Sequence, residues 1–240
     1  MYDKFERSSE ASVFKNYSYS DATLAWIDIL NVRTKSHDEI SKIMRKVLDL
    51  AAEATSTGPI FNDGVYFGTP NSAVQYAIVG DTVIMVEKYL PDQRAAAKLA
   101  LLYRASLFSK KLFENNFLHR GIILDGPVDC FQKDHNPIIT GGGVVQAYTL
   151  EAQLKCSGLF IHDSCALLKS AGRFEQTKQH DRIIKLPVSG FDHTSFAPNT
   201  SYVIFEKTTG LSEWQNALKN AEPHEKVTNS FSLIQAFPSP

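Results

Sequence analysis

The chain has 240 residues, 43% of them hydrophobic, which is enough for one sizeable globular core. Lysine plus arginine (25) and aspartate plus glutamate (26) nearly cancel to a formal charge of -1, so no overall attraction draws nucleic acid or an acidic membrane, and an anionic ligand must be held by a local site. The three cysteines, Cys130, Cys156 and Cys165, lack a CxxC spacing, and no apolar run approaches the ~20 residues of a membrane helix, which fits a cytoplasmic protein with reduced thiols and no membrane partner.

After a polar arm, the stretch "ATLAWIDILNV" reads as a strand over residues 23–30. Leu24, Trp26 and Asp28 share one face by the period of two, and Ala25, Ile27 and Ile29 share the other. Apolar residues on both faces place it inside a sheet. Asp28 is out of keeping there, because an unpaired acid in such a strand is costly enough to require a metal ion, a cation or protonation. Next, "SHDE" offers Ser36 as an N-cap with Glu39 three residues on, and Ile40, Ile43, Met44, Val47, Leu48 and Ala51 follow at helical spacing.

The stretch "NSAVQYAIVGDTVIMVEKYL" holds two β-rich runs around Gly80 and Asp81, a hairpin with its turn at "VGDT". Pro91 opens a long helix through "DQRAAAKLALLYRASLFSKKLFENN", and "HRGIILDGPVDCF" is a further strand. Then "TGGGVVQAYTLEAQLKCSG" reads as a helix stopped at Gly158, and "LFIHDS" as a short strand. This βαββαβ order predicts an α/β (α+β) chain with a ferredoxin-like or palm-like, mostly antiparallel sheet and helices on one face. Past residue 165, "RIIKLPV" and "SYVIFE" read as strands, "SEWQNALKNAE" as a short helix and "SLIQAFPSP" as a tail. The expectation is one domain over 1–240, with its core at about 22–163 and the remainder an extension of it.

Asp28 and Asp81 stand on strands expected to be neighbours. Their carboxylates would then converge on one sheet edge and take divalent cations through hard oxygens. Asp81 also reads as a plain turn residue, since Gly-Asp is common in turns. Gly141, Gly142 and Gly143 precede a helix and suit either close phosphate approach or packing. Tyr148 reads as a core residue, with base contact as the alternative.

In order and spacing, "WIDILNV", "IVGDTVIMV", "RGIILDG" and "GGGVVQAYTLE" together resemble the motifs of class III nucleotide cyclases over roughly residues 22–163. The resemblance implies two Mg2+ or Mn2+ ions held by Asp28 and Asp81 with Ile29 beside them. It also implies phosphate binding at Leu30, Asn31, Val32 and Arg33, and leaves Arg33 and Arg120 as the candidate catalytic cations. Lys185 is a further candidate, for a γ-phosphate. Where purine cyclases carry base-reading Lys and Asp, this chain has Ala77 and Ile138, and where they carry the transition-state Asn and Arg it has Val145 and Thr149. Loss of polar base readers argues against ATP or GTP. Among cyclases the pattern is most similar to the pyrimidine cyclases of bacterial Pycsar antiphage systems, which implies a homodimer, UTP or CTP as substrate, a cyclic UMP or cyclic CMP product and a separate effector that senses it. Two other readings stay open: an adenylate or guanylate cyclase with its base readers elsewhere, and a catalytically inactive nucleotide-binding dimerisation module.

Overall fold

The computed structural model describes residues 17–32, 34–56, 60–62, 65–67, 74–87, 94–133, 136–163, 165, 183–184, 200–203 and 207–236. In chain order the elements are β1 (Tyr17–Ile29), α1 (His37–Ser56), β2 (Ile60–Asn62), β3 (Val65–Phe67), β4 (Val74–Val79), β5 (Thr82–Glu87), α2 (Arg94–Glu114), β6 (His119–Lys133), β7 (Asn136–Thr140), α3 (Gly142–Glu151), β8 (Gly158–His162), β9 (Ile183–Ile184), β10 (Thr200–Val203), α4 (Lys207–Lys219) and α5 (Glu225–Ala236). Eight strands form one sheet in the order β4-β5-β1-β6-β8-β10-β9 with β7 on β6, while β2 and β3 pair separately. Every pairing is antiparallel except β6 with β8. The expected mixed α/β plan with a mostly antiparallel sheet is therefore present. Its βαββαβ part leaves β5 between β4 and β1, the split arrangement of ferredoxin-like folds.

The central strand β1 is buried on both sides, as its sequence requires. Ala25, Ile27 and Ile29 pack with Val83, Met85 and Ile123 beneath α1 and α2. On the opposite face Leu24 packs with Ile84, Leu124 and Phe160 beneath α3, α4 and α5, which contribute Ala147, Trp214 and Leu233. Each fully buried side chain of this size stabilises the fold by roughly 1.5–3 kcal/mol. Helices therefore cover both faces rather than one, and the reason is β1 itself: a strand apolar on both sides needs two covering layers.

Local chemistry sets the ends of the elements. Ser36 caps α1 as predicted, exchanging bonds with Glu39: Ser36 N donates to Glu39 Oε2 at 3.0 Å and Glu39 N donates to Ser36 Oγ at 3.4 Å. Gly80 has φ 63 in the two-residue hairpin turn between Val79 and Thr82, at the position where a type II′ turn calls for glycine. Three sequence expectations are corrected. The residues before the glycine run form β7, paired with β6, so that α3 starts at Gly142 and ends at Glu151, well short of Gly158. The first strand begins at Tyr17, because its early residues find partners along the long β6. The supposed tail belongs largely to α5, whose Val227, Leu233 and Ile234 bury one face against the α3 side of the sheet.

Candidate functional site

Asp28 lies one residue from the end of β1 and is 7% exposed. Its register partners are Thr82 on β5 and Arg120 on β6. Asp81 immediately precedes Thr82, is half-buried, and accepts a bond from the Ile29 amide through its backbone carbonyl at 2.9 Å. Asp28, near the end of β1, and Asp81, in the turn that leads into the neighbouring β5, thus lie at the same end of the sheet. Among the described residues no three His, Cys, Asp or Glu side chains gather as a metal site. Two carboxylates alone suit Mg2+ or Mn2+ that complete their shells with water and substrate phosphate, and this donor set fits such ions.

Arg120 makes an ion pair with Glu151 of α3, stands 3.5 Å from Asp28 through Nε, and donates from Nη1 to the Leu154 carbonyl at 3.2 Å. Its guanidinium is thus committed to protein groups at the floor of the site. Glu151 is 3% exposed. Burial pushes its carboxyl up to about 7, opposed by the pull of Arg120, with Asp28 adding to the rise. An acid whose folded pKa is raised above its ordinary 4.5 takes up a proton on folding. Its stabilising contribution is therefore full below 4.5 and lost as pH rises through about 7. Glu151→Gln is expected to flatten the decline of urea-unfolding free energy across that window, and an unchanged slope would contradict the assignment.

The remaining predicted residues fall into separate places. Ile29 buries its side chain on the opposite face, so only its backbone belongs to the site. The amides of Ile29 and Leu30 donate to the Asp81 and Leu118 carbonyls at 2.9 and 2.8 Å, so these two of the expected phosphate contacts are already engaged within the protein. Asn31 has φ 63, a left-handed conformation that asparagine tolerates, and turns the chain sharply after β1. Arg33 and Lys185 lie outside the described residues.

Ala77, half-buried on β4, falls in a cross-strand row with Ile84, Trp26 and Ile122. That row is one pleat from Asp28. Ile138, on β7, sits opposite Phe131. Since Phe131 is nine positions beyond Ile122 on β6, about 30 Å of strand separates the two base-pocket positions. They do not meet within one chain, because Ile138 belongs to β7, a strand that the sequence leaves unassigned.

The glycine run serves packing. Gly141 has φ 118, and a Cβ built there would lie 2.5 Å from the Pro127 carbonyl oxygen; a Cβ on Gly126 would lie 2.6 Å from Gly143 Cα. Gly126 is six positions along β6 from Arg120, about 20 Å, so the α3 N-terminus is far from the Asp28 end and the helix's last turn, with Glu151, is near it. Tyr148 is 61% exposed rather than in the core, and its ring meets Trp26 edge-on at 5.9 Å. Val145 is likewise 66% exposed, and Thr149 Oγ1 donates to the Val145 carbonyl at 2.9 Å.

Two contributions escape the sequence reading. An acid at the end of a short helix reads as solvent-facing, and only the docking of α3 on the sheet buries Glu151. The C-terminal segment reaches the turn that follows β1, where Asn31 Nδ2 and His224 Nε2 are 3.2 Å apart. Burial lowers the His224 pKa, with help from Lys226. Behind them Trp214 Nε1 donates to Ser157 Oγ at 2.8 Å, and the Ser157 amide donates to Ser230 Oγ at 2.8 Å, which latches α4 and α5 to the start of β8.

No family model and no curated protein matches the chain. Solved structures with similar folds include the catalytic core of a rhodopsin-guanylyl cyclase with converted specificity, in complex with ATPalphaS, at 18% identity and TM-score 0.44, covering 79% of this chain and 98% of that one. The dimeric guanylyl cyclase domain of the RhoGC fusion protein from the aquatic fungus Blastocladiella emersonii gives 17% identity and TM-score 0.45, with the same coverages of 79% and 98%. A bacterial light-regulated adenylyl cyclase gives 14% identity and TM-score 0.46, covering 92% of this chain and 58% of that one.

Proposed function

We propose that this protein is a nucleotide cyclase that converts UTP or CTP to the 3′,5′-cyclic nucleotide and pyrophosphate. The observation that carries the reading is a carboxylate, Asp28, buried at the end of an interior strand and set beside the turn that holds Asp81. In this reading Asp28 and Asp81 hold Mg2+ or Mn2+, and the turn at Asn31 and Val32 meets the triphosphate. When bound, such ions lower the pKa of the attacking hydroxyl and offset charge on the phosphates. The ribose 3′-oxygen bonds to the α-phosphorus, the α–β phosphoanhydride bond breaks, pyrophosphate leaves and the hydroxyl proton passes to solvent.

The pyrimidine preference is supported by Ala77, an apolar residue where the resemblance implies a base-reading Lys, so that no charged group meets a purine there. A head-to-tail homodimer is supported by Val145 and Tyr148, two large side chains that α3 leaves exposed and that a second copy would cover. Each site would then take its acids from one protomer and its base pocket from the other. By the sequence resemblance, the product would serve antiphage signalling through a separate effector. The test is turnover of UTP and CTP with Mn2+ by the wild type and by Asp81→Ala. The variant should lose activity by at least about a hundredfold; activity that survives the change would remove Asp81 from the metal site.

A further inference from the structure

Arg120 lies between two acids on different elements and serves them unequally. It stands directly across the β1–β6 ladder from Asp28, the position at which opposite charges ordinarily pair. Yet Nε is 3.5 Å from Asp28 Oδ2, beyond the ~2.7–2.9 Å of a charge-assisted bond. Its short ion pair goes instead to Glu151 Oε1, and Nη1 is anchored on the Leu154 carbonyl at 3.2 Å, just past the end of α3. Both anchors lie on the α3 side, so the guanidinium is drawn up from the sheet toward the helix. Among the described residues, Asp28 is the other acid within ion-pair distance of Arg120. An arginine seated on Asp28 would compete with any cation for the same oxygens.

We propose that Glu151 is a positioning residue that draws Arg120 off Asp28 and so keeps the Asp28 carboxylate able to take a divalent cation. The inference rests on the metal role of Asp28 given above. It makes α3 part of the site through its last turn, and it gives Arg120 a role in setting the charge at Asp28.

The measurement is equilibrium binding of Mn2+ to the full chain without nucleotide, at a pH above 7 where the Glu151 carboxyl is ionised, followed by the electron paramagnetic resonance of free Mn2+. Asp28→Asn should abolish tight binding, and Glu151→Gln should raise the Kd about tenfold or more, the scale of groups that orient metal ligands. Glu151→Asp, which keeps the charge but shortens the reach to Arg120, should also weaken binding, and it serves if the glutamine variant does not fold. The deciding comparison is the Arg120→Gln background: with no guanidinium to hold away, Glu151→Gln should change the Kd by less than about threefold. Equal weakening in both backgrounds would reduce Glu151 to a distant charge, and no weakening in either would remove it from the site; both results overturn the inference while leaving the metal role of Asp28 intact. Mn2+ binding that is indifferent to Asp28→Asn would overturn the metal reading and this inference together.

Discussion

Asp28→Asn is expected to lower kcat/KM for any accepted nucleotide by about a hundredfold to a thousandfold while leaving the protein folded. The loss follows from the chemistry of the substituted group, since a carboxamide keeps the size of the side chain but removes the charge that a hard cation needs. Stability should change little. Removing an acid from around a buried cation is ruinous when it is the only partner, but Arg120 retains Glu151 and the Leu154 carbonyl. A urea-unfolding midpoint close to that of the wild type, together with lost turnover, is the expected pair of results. Full activity in the variant would mean that Asp28 is a structural partner of Arg120 and nothing more.

A large effect on stability is expected at Gly126, where the clash is with α3 itself. A Cβ there would lie 2.6 Å from Gly143 Cα and 3.3 Å from Gly143 N, both backbone atoms of α3 that no side-chain rotation can move. Gly126→Ala must push α3 off β6 and should cost about 3 kcal/mol, at the upper end of overpacking penalties. It should also disturb the site from ~20 Å away, because the displaced helix carries Glu151. Gly80→Ala is the contrasting change: a Cβ there meets nothing within 4 Å, so only the positive φ of 63° opposes it. That costs about 1–2 kcal/mol. Chemical denaturation of both variants distinguishes contact from backbone strain, and equal, small losses would contradict the close packing of α3 on β6.

How much of this was legible in the sequence differs from residue to residue. The two-sided burial of β1 follows from apolar residues on both of its faces, and the position of Asp81 follows from a Gly-Asp turn flanked by β-rich runs. Both are short-range patterns with a physical cause in one segment. Glu151 could not be read in this way, because its burial depends on contact between α3 and the distant strand β6, Arg120 being the partner. The same holds for Asn31 and His224, which meet across 193 positions. For Ile138 the cause is local: Asn136–Thr140 is too short a run to mark a strand by itself, and only its pairing with β6 makes it β7. The pair of buried Lys98 and half-buried Asp125, 2.6 Å apart on the α2 side of the sheet, is another contact between distant segments that no local pattern marks.

The central claim is that the acids at the end of β1 and in the β4–β5 turn serve the cyclisation of a pyrimidine nucleotide. Incubation of the purified protein with Mn2+ and each of ATP, GTP, UTP and CTP, with products identified by mass spectrometry, tests it most directly. The account predicts cyclic UMP or cyclic CMP with stoichiometric pyrophosphate; cyclic AMP or cyclic GMP as the efficient product, or no cyclic product from any of the four, would contradict it.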